Sequence, residues 1–192
     1  MEKIFENIYV NSTWGGRQSR SGTGSDLAET VSIRKSLPLL IDRLKVRSIL
    51  DIPCGDFNRF SETNWGDLRE YHGCDIVEKI IEDNRKKFPT VKFSVKDITK
   101  DTLPDADLIL TRDCLGHLSN KNVKKAVANI KRARPRFLVA THWPGYGDKD
   151  IKDGGWRPIN MDKFLDSDFE LIELLDEDIK DKYLGVWRLT AK

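Results

Sequence analysis

The sequence predicts an α/β fold in which a sheet of seven strands, mostly parallel, is covered by helices on both faces. Seven short segments are rich in apolar residues, and polar or turn-forming residues separate them. The first five alternate with helical patterns, which favours parallel pairing through crossover connections. The last two follow one another without a helix, which favours an antiparallel pair. The predicted strands lie near residues 47–51, 71–74, 91–95, 106–110, 137–140, 169–175 and 184–189.

Helices are predicted wherever apolar residues recur at helical spacing between the strands. Pro38 interrupts the first helix, and because proline lacks a backbone N–H it should kink this helix or start a second one. Residues 60–68 are expected to form a short helix or a loop, and residues 144–156 a glycine-rich loop. The predicted helices begin at Ser25 or Asp26, near Val77, and at Ser119 or Asn120.

Length, charge and cysteine content limit the possible classes of protein. The 192 residues can bury the core of one domain, so we expect a single domain over 1–192 with its core at 25–192. The net charge of +2 gives no argument for a nucleic-acid partner. Three cysteines without C-x-x-C spacing predict neither a disulfide framework nor a metal site. No membrane span or signal peptide is evident, and a cytoplasmic protein is expected.

The first 24 residues are polar and rich in glycine, which leaves two interpretations open. One is a mobile N-terminal arm. The other is a segment with a function, because Trp14, Arg17 and Arg20 are costly side chains to leave in solvent for no purpose.

An aspartate follows each of the first four predicted strands. The carboxyl ends of parallel strands lie at one edge of the sheet, where the ligands of such sheets bind. We therefore expect the four carboxylates to converge at a binding site, with the turn at residues 51–56 at its centre. These residues are Asp51, Asp75, Asp97 and Asp113.

A resemblance to class I S-adenosylmethionine-dependent methyltransferases is carried first by Asp51-Ile52-Pro53-Cys54-Gly55-Asp56. The first motif of that family reads acid-x-Gly-x-Gly, and here Pro53 replaces the first glycine. Segments 21–25, 112–119 and 155–160 resemble a group of small bacterial members of poorly defined substrate, so that the similarity spans nearly the whole chain. It implies a Rossmann-like domain that uses S-adenosylmethionine and an N-terminal segment that covers this cofactor.

The resemblance also implies roles for the acids. Asp75 would accept hydrogen bonds from the ribose hydroxyls, and Asp97 would hold the adenine while Ile98 covers its ring. The acids of the 51–56 turn and the Arg112–Asp113 turn would hold the methionine ammonium. The implied cofactor residues are Trp14, Arg20, Asp51, Cys54, Gly55, Asp56, Asp75, Ile76, Asp97, Ile98, Arg112 and Asp113.

The expected reaction is O-methylation of a small polar molecule, such as a sugar, and it requires a base. Histidine titrates nearest to neutrality, and His142, at the end of the fifth predicted strand, is the preferred base. His117 is the alternative, and Asp113 would orient the acceptor or an imidazole, or act as the base itself. The sequence fixes neither the acceptor nor the oligomeric state.

Two other functions use the same kind of sheet. A regulatory module that binds S-adenosylmethionine without catalysis would keep the acids and need no base. A nicotinamide-dependent oxidoreductase would need a G-x-G-x-x-G turn to receive the pyrophosphate. Here Gly55 stands alone, and Asp51 and Asp56 would repel phosphates, so the methyltransferase is preferred.

Overall fold

The computed structural model describes residues 1–147 and 149–190. Position 148 of the expected glycine-rich loop and positions 191–192 of the expected core lie outside the described residues. None of the described helices is both long and apolar enough to span a membrane. The described strands are β1 (Ser48–Asp51), β2 (Glu70–Asp75), β3 (Lys92–Val95), β4 (Leu108–Thr111), β5 (Phe137–His142), β6 (Phe169–Ile179) and β7 (Lys182–Leu189). The described α-helices are α1 (Glu2–Val10), α2 (Val31–Arg43), α3 (Glu78–Lys87) and α4 (Asn120–Ala133).

The seven described strands form one sheet in the order β3-β2-β1-β4-β5-β7-β6. Strands β1 to β5 pair in parallel, whereas β7 pairs antiparallel with β5 on one side and with β6 on the other. This confirms the predicted seven-stranded, mostly parallel sheet with antiparallel strands at its carboxyl end. The strand order reverses between β1 and β4, and in sheets of this kind ligands bind at the carboxyl ends of the strands beside that point.

Successive residues of the central strands supply two apolar clusters, one on each face of the sheet. Ile49 of β1 belongs to the cluster that contains the buried faces of α2 and α3. Leu50, the next residue, belongs to the cluster that contains the buried face of α4. Burial of each such side chain contributes about 1.5–3 kcal/mol, which holds the helices against the sheet. The predicted three-layer arrangement with helices on both faces is confirmed.

Helix α2 begins later than predicted, at Val31. Asp26 does not cap it, because its carboxylate accepts hydrogen bonds from the backbone N–H groups of residues 17–19 at 2.9, 2.9 and 3.1 Å. The helix then continues through Pro38, so the second helix that this proline might start does not form.

Helix α1 lies in the segment whose structure the sequence left open. Its apolar side chains lie three or four positions apart, and one of them, Tyr9, is buried against Val77 and Ile80 beside α3. The first ten residues therefore pack on the core of the described structure instead of extending into solvent.

Candidate active site

A cleft opens at the edge of the sheet where β1, β2, β3 and β4 end. It contains about 820 Å³ of space, part of which is continuous with solvent. Asp51, Cys54, Asp56 and His142 are not among the described residues that line it. The predicted site residues that do line it are Trp14, Arg20, Gly55, Asp75, Ile76, Asp97, Ile98, Arg112, Asp113 and His117.

Asp75, the last residue of β2, presents a buried carboxylate to the cleft. One of its oxygens accepts a hydrogen bond from the N–H of Val77 at 3.0 Å, and the other from the N–H of Gly55 at 3.2 Å. Each oxygen retains further acceptor capacity, so the group can also bind hydroxyls of a ligand. Burial raises the pKa of Asp75 to about 6, although the two N–H donors favour its ionised form.

Gly55 forms a cradle of backbone atoms in the cleft wall. Its φ of +56° lies in the left-handed region, where a side chain is strained. A Cβ at this position would also lie only 2.6 Å from Oγ of Ser21. Asn84 of α3 donates a hydrogen bond to the Gly55 carbonyl at 2.8 Å and so fixes the turn. The close approach of a ligand to this backbone therefore depends on glycine.

Asp97 and Ile98 form the wall that follows β3. An oxygen of Asp97 accepts hydrogen bonds from the N–H and the hydroxyl of Thr99, at 2.9 and 2.7 Å. The carbonyl of the buried Ile98 accepts a hydrogen bond from Asn129 of α4 at 2.8 Å. Residues 96–107, which connect β3 to β4, contain no α-helix. The hydrogen bonds of Asp97 and Ile98 therefore hold this connection in place.

Asp51, the last residue of β1, is fully buried, and two side chains bind its carboxylate. Arg59 donates hydrogen bonds from Nη2 to both carboxylate oxygens, at 3.0 and 3.1 Å, and the hydroxyl of Tyr71 donates another. Burial raises the pKa of Asp51, whereas Arg59 and Tyr71 favour its ionised form. In this part of the cleft Arg59 forms the wall, and Asp51 lies behind it.

Asp56 fastens the N-terminal segment to the 51–56 turn. Its carboxylate accepts hydrogen bonds from the hydroxyl of Ser19 at 2.9 Å and the N–H of Arg20 at 3.0 Å. Its own N–H donates to Oγ of Ser21 at 2.9 Å. Cys54 is buried beneath the same turn. Of the predicted cofactor residues in this turn, Gly55 alone is among the described residues lining the cleft.

Arg112 and Asp113 follow β4 and belong to a network of charges in which Arg112 is buried and Asp113 is partly exposed. Arg112 donates hydrogen bonds to Glu177 through Nε at 2.8 Å and to the carbonyl of Gly24 through Nη1 at 2.6 Å. The carboxylate of Asp113 lies 3.0 Å from Nη1 of Arg112 and 2.9 Å from Nζ of Lys182. Although burial opposes ionisation, Arg112 and Lys182 hold the pKa of Asp113 well below its usual range. Such a carboxylate is a weak base and suits positioning.

His117 follows Asp113 in the chain and lies in the wall of the cleft. Nδ1 of its ring lies 2.7 Å from the carbonyl oxygen of Gly155, so in the neutral ring Nδ1 donates and Nε2 is the acceptor. The ring of Trp14 lies over the imidazole, with 4.2 Å between centroids and 32° between planes. Burial lowers the pKa of His117. The carbonyl of Gly155 and the charge of Asp113 raise it by less, so the pKa stays below its ordinary value. The lowered pKa favours the neutral ring that can accept a proton.

His142 lies inside the sheet, because β5 extends beyond its predicted end and includes it. It pairs with Tyr183 of β7, and its ring packs against Trp187 with 5.5 Å between centroids. Nδ1 accepts a hydrogen bond from the N–H of Met161 at 3.1 Å, and the residue is 1% exposed. Burial lowers the pKa of His142, whereas Asp162 raises it. The structure therefore does not bring His142 together with the cleft.

The wall that α1 contributes was missed from the sequence. Phe5, Ile8 and Tyr9 line the cleft, and their spacing is a helix signal within a segment that is otherwise polar. The helix also packs on the loop after β5, where a Cβ at Gly154 would lie 2.7 Å from Ile4. The other lining residues that were not predicted are Met1, Ser21, Ser25, Ile52, Pro53, Arg59, Val77, Ile80, Lys96, Cys114 and Leu118.

The chemistry of these residues fits S-adenosylmethionine. Asp75 supplies acceptors for two ribose hydroxyls, and the cradle at Gly55 admits a ligand against the backbone. Ile76 and Ile98 supply apolar surface on which an adenine ring can lie.

Comparisons with known proteins support this interpretation. Residues 49–134 match the methyltransferase domain family. The search of curated proteins returned no match. Among solved structures, the chain is similar to the PH0226 protein from Pyrococcus horikoshii OT3, with 17% identity over 82% of this chain and 89% of that one and a TM-score of 0.63.

Two further solved structures are methyltransferases. A TehB-like SAM-dependent methyltransferase from Corynebacterium glutamicum has 23% identity over 79% of this chain and 86% of that one, with a TM-score of 0.57. Magnesium protoporphyrin IX methyltransferase from Synechocystis PCC 6803, solved with bound SAM, has 14% identity over 97% and 94% and a TM-score of 0.67. At these identities the likeness shows the fold. Together with the family match, which spans β1 to α4, and with the residues of the cleft, it supports a class I, Rossmann-like S-adenosylmethionine-dependent methyltransferase.

Proposed function

We propose that the protein transfers a methyl group to an oxygen atom of a small polar acceptor, such as a sugar, and that His117 is the general base. The arrangement of His117 carries this proposal. Its Nδ1 is engaged by the carbonyl of Gly155, its Nε2 is left as a proton acceptor, and the residue lines the same cleft as Asp75 and Gly55.

The chain has two tasks in this reaction. Bound S-adenosylmethionine supplies a methyl group on a positively charged sulfur, which leaves as a neutral thioether. The protein must align the acceptor and take its proton, and a positioned base contributes typically about 10²–10⁴-fold. As the C–O bond forms, the hydroxyl proton moves to Nε2 of His117. The hydrogen bond to Gly155 holds the tautomer, and the ionised Asp113 raises the pKa of the imidazole.

Aromatic side chains after β5, in the segment whose Gly154 and Gly155 contact His117, support an acceptor that contains a ring. The ring of Trp143 lies 5.6 Å from that of Tyr146 and 6.3 Å from that of Trp156, close to perpendicular to both. Trp156 is 61% exposed, so its surface is available to a ligand. The N–H of Gly154 donates to the carbonyl of His117 at 2.9 Å, which ties this loop to the base.

The test compares the two histidines after an acceptor has been found by screening small hydroxylated compounds for release of S-adenosylhomocysteine. His117→Gln should keep the affinity for S-adenosylhomocysteine and lose at least about 10²-fold in turnover. The wild-type rate should fall at low pH as His117 becomes protonated, and the lowered pKa places this fall below the pH at which a free imidazole titrates.

His142→Gln is the rival variant in the same assay. This variant should retain most of the turnover, because His142 packs against Trp187 and is absent from the described residues that line the cleft. Wild-type turnover by His117→Gln, or loss of turnover in His142→Gln with cofactor affinity intact, would overturn the assignment of the base.

The N-terminal segment completes the proposal. Residues 1–24 act as a cover over bound cofactor within a single domain. Helix α1 lies along the cleft, and Asp56 and Asp26 bind the residues that follow it.

A further inference from the structure

A buried cation lies at the end of the cleft beside the 51–56 turn. Arg59 follows this turn in the short 3₁₀ helix Asn58–Phe60, is 4% exposed, and lines the cleft. Burial disfavours its charge, but Asp51 more than compensates and raises the pKa of Arg59. The guanidinium therefore carries its positive charge at neutral pH.

Only part of this guanidinium is engaged by the chain. Nη2 donates to Asp51 and to the carbonyl of Pro53, the latter at 2.8 Å. Nε is buried without a hydrogen-bond acceptor among the described residues. The hydrogen bonds to Asp51 and Pro53 are all made by Nη2, and none of them uses Nη1. A buried N–H of a charged group without an acceptor is costly, so an acceptor from a ligand would stabilise it.

Two donors meet at one place above Gly55. Nη1 of Arg59 lies 4.0 Å from the position that a Cβ of Gly55 would occupy, and Oγ of Ser21 lies 2.6 Å from it. The Ser21 hydroxyl accepts from the N–H of Asp56, which leaves its own hydrogen to donate. A charged N–H group beside a hydroxyl suits a carboxylate, which can accept one hydrogen bond from each.

We propose that Nη1 of Arg59, together with the Ser21 hydroxyl, binds the carboxylate of the cofactor's methionine group. Asp51 then serves as the counter-ion that holds Arg59 in place, instead of binding the ammonium as the resemblance implied. The inference concerns the cofactor alone, so it does not depend on the acceptor or on the identity of the base.

The first experiment changes the ligand and leaves the protein intact. Isothermal titration calorimetry of the wild-type chain is performed with S-adenosylhomocysteine and with its decarboxylated analogue, which keeps the adenosine, the thioether and the amine. Loss of one charge-assisted contact should weaken binding of the analogue by about tenfold to a hundredfold. Equal affinity for the two ligands would overturn the proposal.

The second experiment removes the cation without leaving a lone buried charge. The double variant Asp51→Asn/Arg59→Gln replaces the pair by neutral side chains that can hydrogen-bond, since removal of one partner alone would be strongly destabilising. The affinity ratio between the two ligands should fall to near one. A ratio that stays at the wild-type value would show that another group binds the carboxylate, and would also overturn the proposal.

Two further variants keep the result interpretable. Arg59→Lys retains the charge opposite Asp51. If the double variant does not fold, the ratio in Arg59→Lys should still fall at least about threefold, because one ammonium cannot bind Asp51 and reach the position of Nη1 as the longer guanidinium does. A ratio equal to that of the wild type contradicts the proposal. Lys96→Gln removes a cation from the cleft wall beside Asp97 and should leave the ratio unchanged. A matching loss there would show a general effect of positive charge, and the assignment to Arg59 would fail.

Discussion

The strand ends and the N-terminal segment build opposite walls of one cleft, and they are held in place in different ways. Asp75 ends β2 and Asp97 follows β3, and each accepts a hydrogen bond from the N–H of the second residue after it in the chain. Asp75 also accepts one from the N–H of Gly55 in the neighbouring turn. Residues 17–21 are positioned by the side chains of Asp26 and Asp56, the second of which lies far away in sequence. The first wall is part of the folded core, whereas the second depends on a few polar contacts.

This difference indicates which wall can move. Opening the strand ends would break the parallel pairing of β1 with β2 and β4, together with the apolar clusters beneath them. Opening the N-terminal segment breaks hydrogen bonds at two aspartates and the packing of α1. Local openings of this kind have low free energies compared with global unfolding. The strand ends should therefore set the affinity for the cofactor, and the segment its access.

The largest effect is expected at the strand ends, from Asp75→Asn. The variant keeps one oxygen for the N–H donors and loses the charge that favours hydrogen bonds from the ribose. Charged hydrogen bonds contribute about 1.5–3 kcal/mol, so calorimetry should show S-adenosylhomocysteine binding roughly tenfold to a hundredfold more weakly. Asp105→Asn, an exposed aspartate outside the described lining, is the matched control and should bind normally. An unchanged affinity in Asp75→Asn would remove the ribose role of this residue.

A smaller effect is expected in the N-terminal segment, from Asp26→Asn. Three backbone N–H groups donate to this carboxylate, and burial, which alone would raise its pKa, is outweighed by these donors, which lower it. Weakening them by about 1–2 kcal/mol raises the population of the open segment roughly five- to thirtyfold. Limited proteolysis within residues 11–24 should accelerate by that factor in the protein without ligand.

Added S-adenosylhomocysteine should slow this cleavage in the wild type, because a ligand that binds the closed form stabilises it. Glu29→Gln, an exposed change in the turn after Asp26, is the control and should be cut at the wild-type rate. Equal cleavage with and without ligand would show that residues 1–24 do not cover the cofactor.

The strand ends could be predicted from the sequence, whereas contacts between distant segments could not. Strand ends are local features, because an apolar run followed by an acid marks them, and the fold then gathers the acids at one edge. Gly55, Asp75 and Asp97 were predicted in this way, and all three line the cleft. The partner of Asp51 was not, since Arg59 is an ordinary arginine in a polar segment and only the folded turn brings the two side chains within 3.0 Å. Asp56 was likewise expected at the cofactor, and no local pattern shows that it binds residues 19 and 20.

Helix α1 and the position of His142 within a strand were not predicted, and the physical reasons differ. The apolar face of α1 is short and lies among charged residues, so composition concealed its periodicity. His142 was placed after a strand because the apolar run stops at Ala140, but pairing with β7 extends β5 by polar residues. Backbone pairing of this kind depends on a strand more than forty residues away, and a side chain that was expected in a loop is buried as a consequence.

The smallest expected effect is the change of cofactor affinity with pH, which tests Asp75 at the end of β2. Burial raises the pKa of Asp75 from its ordinary value of 3.8 to about 6 in the protein without ligand. The raised pKa means that the folded state holds this proton more tightly than the unfolded state. The contribution of Asp75 to stability is therefore fully present below about pH 4 and is lost as the pH rises through about 6.

Cofactor affinity should respond to pH with the opposite sign. If Asp75 binds the ribose, the hydroxyls donate to its ionised carboxylate, and the protonated group offers fewer acceptors. If only the ionised form binds well, lowering the pH from 7.5 to 5.5 should weaken S-adenosylhomocysteine binding by about fourfold. Calorimetry across this range measures the effect, and the same titration in Asp75→Asn should lose this component, which separates it from protonation of His117. A wild-type profile that matches that of Asp75→Asn would mean that Asp75 does not titrate in this range, and that its two N–H donors hold it ionised more strongly than burial opposes.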